Sequence, residues 1–525
     1  AMEVVSNSIL NVVGACVAVL ESFSHLGVNT HFVKCAAIDS KIAELADGMG
    51  FELVLMKYTL ALFAAYPFSA ILYVLPNKHM KHLFSFVVGF ALVQWIFGPD
   101  WIHSFIAAAG TYAICAFAPP KKQHILAFVF VMGYMVGAHI YRMYVSYMSG
   151  VFDFTGTQMV LTMKLTSFAY NYYDGTCDKK NVFPEKPHED RRKAKVFADR
   201  ARFAITKLPN PIEFFGYVYC FTCILAGPAF EYRDYEKAID ASAYRKPTDS
   251  AATKRKPSSN WINGLRKLAV GVACLVIYLQ LSPIFKMSDQ LDVEYIRSVD
   301  PVTRFVRLMV ALMAYRMKFY FAWKVAEGAS VMAGFGFEGY TAEGKEIGWR
   351  GVENVDIVSF ETSANMQAFT RHWNKRTQGW LERYTYHRTN RSLLATYFVS
   401  AIWHGLYPGF FFMFMFFPVM TNIERLVKAK LNPLIVPGYD GFNAATYPKG
   451  FVAQAYWAVS VLCTVWSVSY ITQTFTFGSL ENCWTALGGH GFVPHAFFLG
   501  LWLLLELLPV KKQRPAAADK GTKAA

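Results

Sequence analysis

Charge is scarce in this chain: Asp, Glu, Lys and Arg together make up 17% of its 525 residues. That excludes an intrinsically disordered chain, which stays unfolded through high charge and low hydrophobicity. A cysteine framework is missing too. The nine cysteines are an odd set, and most lie in apolar stretches where a thiol behaves as a small hydrophobe. The one Cys-x-x-Cys, at Cys220 and Cys223, has no second pair to complete a zinc site. No Gly-rich phosphate loop, no His-Glu-x-x-His and no Gly-x-Ser-x-Gly occurs, so the chemistries built on those motifs are set aside. Nor is there an internal repeat of the kind that most transporter folds show. The first 20 residues lack a basic start and a small-residue cleavage site, so no cleaved leader is expected.

Apolar and aromatic residues fill the space. Hydrophobic residues reach 54% and aromatics 16%, with 45 Phe, 29 Tyr and 12 Trp. A water-facing surface cannot hide that many, so the length reads as one all-α polytopic membrane body over residues 1–510. A spanning helix needs about 20 mostly apolar residues. Clear candidates are 52–75, 83–97, 99–118, 123–146, 157–173, 263–286, 303–327, 393–420, 452–475 and 487–509. Segment 7–24 is weaker, interrupted by Glu21 and serines, and 31–48 reads as an interfacial piece. The sum is about ten or eleven spans.

The net charge of +15 is concentrated. Basic residues crowd 176–210, including Arg191-Arg192-Lys193, and 232–262, including Arg233, Lys237 and Lys254-Arg255-Lys256. They also crowd the tail 511–525. The positive-inside rule puts all three stretches in the cytoplasm, which accounts for the basic balance without nucleic acid. Segment 211–230 then lies between two loops on one side and cannot be a simple crossing. Pro211, Glu213 and Gly227-Pro228 fit a re-entrant piece. Irregular backbone at membrane depth survives only inside protein or beside a cavity, so this piece should line an internal chamber. Over 365–388, Met366, Phe369, Trp373, Trp380 and Tyr384 oppose Arg371, Lys375, Gln378 and Glu382, which predicts an amphipathic helix at the membrane surface.

Ionisable groups inside apolar spans mark candidate sites. His404, in Ser400 to Gly409, is the sharpest. Its imidazole can take and return a proton near neutral pH. Trp403 and Tyr407 flank it, Gly405 gives close backbone access, and Pro408-Gly409 loosens the helix. Asn374, beside Trp373 and six residues before Trp380, offers an uncharged donor and acceptor. A straight helix would separate Asn374 from His404 by about 45 Å. If they share a site, the chain must fold back near 388–392. A third stretch, with Lys164, Ser167, Tyr172 and Asp174, ends an apolar span with polar groups that could line a cavity. Each has a plain alternative: a packing histidine, a solvated asparagine, a snorkelling lysine with a tyrosine belt. His103, His124, His139 and Arg142 read as structural.

Five stretches together resemble the membrane-bound O-acyltransferase family, and within it the lysophospholipid acyltransferase branch. They are Asp153 to Gly156 running into Met163 to Ser167; Tyr172 to Gly175; Gly227-Pro228 followed by Tyr232 and Tyr235; Phe360 to Ser363 through Trp373-Asn374 and Trp380-Leu381; and Ser400 to Gly409. The resemblance implies a helical chamber across the bilayer, residence in the endoplasmic reticulum, and acyl-CoA as co-substrate arriving from the cytosol. It implies a lysophospholipid acceptor, no permanently bound cofactor and no metal. It makes His404 the catalytic histidine and Asn374 its partner, with Trp373, Trp380, Trp403, Gly405, Tyr407, Lys164, Ser167, Tyr172 and Asp174 around the substrates. The branch usually carries two Tyr after the Pro-Gly. Phe410 and Phe411 stand here, keeping the packing but no hydroxyl. Alternatives are a relative acylating a sterol, diacylglycerol or peptide, and a non-enzymatic lipid transporter. Large aromatic membrane faces permit a homodimer.

Overall fold

The computed structural model describes residues 2–34, 36–185, 188–246, 256–436 and 450–508. The basic tail 511–525 and residues 247–255 of the second basic loop lie outside the described residues. Among the described residues every regular element is a helix, apart from one isolated antiparallel bridge between Tyr340 and Glu346.

Helices of seven residues or more are numbered in chain order. The first group is α1 Met2–Thr30, α2 Ala36–Met49, α3 Leu53–Val74, α4 Lys78–Phe97, α5 Trp101–Phe117, α6 Gln123–Val145 and α7 Thr155–Thr176. The middle of the chain gives α8 Arg191–Phe203, α9 Pro211–Val218, α10 Tyr232–Ile239, α11 Asn260–Leu281 and α12 Pro301–Met332. The last group is α13 Met366–His372, α14 Lys375–Tyr384, α15 Leu393–His404, α16 Pro408–Lys430, α17 Phe451–Phe477, α18 Leu480–Gly489 and α19 Val493–Leu507.

Seven helical stretches among the described residues are long and apolar enough to cross a membrane, or eight if α18 and α19, bent by 76°, form one broken span. That is fewer than the sequence suggests, for three physical reasons. The stretch Lys78–Phe117 counts once, although Gly98, at φ 57°, interrupts it between α4 and α5. α7 and α12 are too polar to qualify, and the polar residues of α7 and of the C-terminal third of α12 are turned into the protein. On α7, Thr162, Lys164, Thr166, Ser167, Asn171 and Asp174 are all buried, and on α12 every residue from Lys324 to Met332 is buried. Finally, the expected span 487–509 is divided between α18 and α19 and is not among the seven, while the expected span 393–420 is broken at Gly405, which leaves α15 with 12 residues and passes the crossing to α16. Outer helices instead expose Val74, Val129, Val276, Leu462 and Leu504. Such side chains suit hydrocarbon, which offers no backbone partners but accepts apolar surface.

Segment 211–230 does not cross. α9 has eight residues, about 12 Å of rise. The turn after it is packed inside the protein, with Tyr219, Cys220, Cys223 and Ile224 fully buried. Its carbonyls find donors on neighbouring helices, as buried backbone must. Ser85 bonds the Gly216 oxygen at 2.8 Å, and Lys164 Nζ bonds the oxygens of Tyr217 and Val218 at 2.5 and 3.2 Å. Gly89 lets α4 close onto this turn, since a Cβ there would sit 1.6 Å from the Tyr219 oxygen.

Candidate active site

His404 is the last residue of α15. The Ser392 hydroxyl caps the other end, accepting the Ala395 N–H at 3.1 Å. The helix stops at Gly405, whose φ of 140° is a conformation open mainly to glycine. A Cβ there would also meet the Phe410 ring at 3.0 Å. Pro408 then starts α16, where its missing N–H has no helical partner to lose. The imidazole Nδ1 lies 2.7 Å from the Ser400 carbonyl oxygen. A carbonyl only accepts, so Nδ1 carries the proton and Nε2 keeps its lone pair. Among the described residues no protein group is hydrogen-bonded to Nε2. Aromatic rings wall the imidazole: Trp403 at 4.6 Å, Phe414 at 4.7 Å and Phe475 at 5.3 Å between centroids. His139, read from sequence as structural, donates from Nε2 to the Trp403 carbonyl at 3.1 Å and so steadies the residue before His404.

Asn374 sits between α13 and α14 at φ 42° and ψ 53°. That left-handed conformation breaks the single amphipathic helix expected over 365–388 into two. Trp373 packs against α12 and the short helix Ile357–Glu361, 4.9 Å from Trp323 and 5.0 Å from Phe360. α14 then buries its apolar face against the protein and leaves Glu382 exposed. Trp380 is 2% exposed. Its indole N–H bonds Thr166 Oγ1 at 2.9 Å, and the Tyr384 hydroxyl reaches Asn171 at 2.8 Å and Glu231 at 3.0 Å. The polar face of α7 supplies these partners, which is why an amphipathic helix can be buried here.

The chain folds back between α14 and α15, where Asn390 and Arg391 both take positive φ. Trp380 and Trp403 end with ring centroids 5.9 Å apart. Along one helix those positions would be about 35 Å apart. The fold-back thus joins the helix that begins after Asn374 to the helix that ends at His404.

Beside this pair lies a small polar cavity. Lys164, Ser167 and Trp380 line it, together with Glu231, Arg376 and Arg383, which the sequence did not single out; His404 and Asn374 are not among its lining residues. Glu231 accepts from Arg383 at 2.8 Å and from Asn171 at 2.8 Å. A larger cleft, with Arg202 and Lys237 at its wall, shares Phe230 with the cavity. Phe230 therefore stands between the two spaces.

A family model described as the membrane-bound O-acyltransferase family matches residues 139–433. The chain belongs to that family. The matched stretch opens at His139, which holds the Trp403 carbonyl, and includes both Asn374 and His404. This membrane-bound O-acyltransferase is similar to a lysophospholipid acyltransferase of Saccharomyces cerevisiae, 26% identical over 88% of this chain and 76% of the relative. It is 27% identical to lysophospholipid acyltransferase 1 of Arabidopsis thaliana, over 90% of this chain and 98% of the relative. It is also 27% identical to the human membrane-bound glycerophospholipid O-acyltransferase 2, over 83% and 80%. Family and helices together make it a multi-pass membrane protein.

Not every residue expected at the site of this membrane-bound O-acyltransferase faces a cavity. Asp174 is fully buried, and both its oxygens are taken by guanidinium groups, Arg200 at 3.0 and 2.5 Å and Arg388 at 3.1 and 2.6 Å. It ties α7 to α8 and to the turn before α15 and has no lone pair left for a substrate. Lys164 does line the first cavity, but its ammonium is engaged by the carbonyls of the re-entrant turn and by Cys223 Sγ at 3.0 Å. Tyr172 packs at the edge of the main core. Tyr407 accepts the Met148 N–H at 3.3 Å and packs on Tyr147 at 5.6 Å, away from the cavity. Asp174→Asn should therefore act on stability. Unpairing buried charges costs about 3–5 kcal/mol, so the variant should melt well below the parent in detergent. KM for either substrate should be unchanged in the surviving enzyme, and a raised KM with unchanged melting would return Asp174 to the substrate.

Proposed function

We propose that this protein moves a fatty acyl group from acyl-CoA to the free hydroxyl of a lysophospholipid in the endoplasmic reticulum membrane. The observation that carries the reading is the Nδ1 to Ser400 bond, which leaves Nε2 of His404 unprotonated at a helix end among aromatic rings. In the proposed step Nε2 takes the hydroxyl proton while the oxygen attacks the thioester carbonyl carbon. The Asn374 amide donates to the oxyanion that forms. The carbon–sulfur bond then breaks, and the imidazolium returns its proton to the CoA sulfur. The ester and free CoA leave, with no acyl-enzyme between. Holding both lipids together lowers the entropic part of the barrier. The named activities of the yeast and plant relatives support a lysophospholipid as acceptor.

The test is purified protein with radiolabelled acyl-CoA and a panel of acceptors. CoA release that requires a lysophospholipid is the expected result. Release with a sterol, diacylglycerol or peptide instead would overturn the acceptor. Lipid movement across vesicles with no CoA release would overturn the enzyme reading.

A further inference from the structure

Glu327 on α12 is fully buried, lines neither cavity, and uses both carboxylate oxygens. Oε2 accepts from Lys267 at 2.8 Å and Lys324 at 2.9 Å. Oε1 accepts the backbone N–H groups of Asn354 at 2.7 Å and Val355 at 3.3 Å. Lys324 also donates to the Val355 oxygen at 2.6 Å. A carboxylate and an ammonium thus clasp the backbone at 354 and 355 from inside the protein. Such a cluster is a poor stability device, because apolar packing of the same volume does as well or better. Fixing one backbone geometry is the use that fits its contacts.

The clasped segment brackets the kink at Asn374. The Lys375 N–H donates to the Asn354 oxygen at 2.7 Å, and the Asp356 N–H donates to the His372 oxygen at 3.1 Å. Lys375 Nζ adds a bond to Glu353 at 2.6 Å. Burial alone would raise the Glu353 carboxyl, but hydrogen bonds from Arg350 and Lys375 outweigh it and hold the group at about 2. Asn374 falls between the bracketed residues. A left-handed residue other than glycine persists where its surroundings over-determine it, and this bracket does so on both sides.

We propose that Glu327 is a positioning residue for Asn374: through segment 353–356 it holds the Asn374 kink, and with it the side-chain amide, in one orientation. The inference rests on the reading of Asn374 as an assistant in acyl transfer.

The experiment uses the purified full chain, a C18 acyl-CoA and a lysophospholipid that it accepts, with both concentrations varied, on Glu327→Gln, Asn374→Gly and the double variant. Glu327→Gln keeps the shape but cannot accept on both arms. It should lower kcat about 30-fold with KM within about 3-fold. The double variant should be within about 3-fold of Asn374→Gly alone, because the clasp then has nothing left to orient. Losses that multiply, a loss confined to KM, or an unchanged kcat would each overturn the inference. Should Glu327→Gln not fold, Glu353→Gln loosens the same bracket at Lys375 while leaving the buried cluster paired. It should cost about 5-fold in kcat, again without adding to Asn374→Gly; an additive loss or none overturns the inference. A fully active Asn374→Gly would instead defeat the reading of Asn374 and take this inference with it.

Discussion

His404→Ala should lose acyl transfer by about 10³-fold while the chain stays folded and embedded. The expectation follows from one proton. Nδ1 is committed to the Ser400 carbonyl, so the lone pair at Nε2 is the basic atom the ring can offer. Alanine removes that atom and leaves a gap beside Trp403, Phe414 and Phe475. A gap of this kind costs about 2–5 kcal/mol of stability, which a large membrane body can absorb. His404→Gln separates the two effects. It fills more of the space and can still donate to Ser400, yet it has no basic nitrogen, so it should be as inactive as alanine and more stable. Product formation from labelled acyl-CoA, beside thermal melting in detergent, checks both. Transfer at parental rates by either folded variant would end the assignment.

Asn374→Gly should cost about 100-fold in kcat with little change in melting. Glycine is the cleaner probe here because Asn374 sits at φ 42°. It accepts the left-handed backbone while the whole side chain, amide included, is removed. Asn374→Ala removes the amide too, but keeps a Cβ in that conformation without the polar group by which asparagine tolerates it, at about 1–2 kcal/mol relative to glycine. The alanine variant should melt below the glycine variant while both are equally slow at saturating substrate. Full activity in the glycine variant would show that the site does not need the amide.

The all-helical architecture was legible because apolar runs of spanning length dominate the chain, and His404 stood out as an ionisable group within one of them. The chain does turn back near 388–392, where Asn390 and Arg391 take positive φ. Other features were hidden for a common reason: they depend on partners far away in sequence. The aromatic period of 365–388 continues across Asn374, so nothing local marks the break or the burial of Trp380, which depends on Thr166 of α7. Asp174 looked available because Arg200 and Arg388 lie 26 and 214 positions away. Glu231 went unnoticed between Phe230 and Tyr232, although an acid directly after an apolar re-entrant stretch was itself a signal. α7 and α12 were read as spans from their apolar residues. Their buried polar residues place much of both helices against other protein and not against lipid.

The central claim is that the Nε2 lone pair of His404 receives the acceptor's proton. It is tested most directly by a structure of the parental protein with a lysophospholipid and an acyl-CoA analogue whose thioester is replaced by an inert thioether. The acceptor hydroxyl oxygen should lie about 3 Å from Nε2, with the acyl carbon within reach of that oxygen. A hydroxyl bonded to another side chain, with Nε2 packed against rings and out of reach of both substrates, would contradict the account.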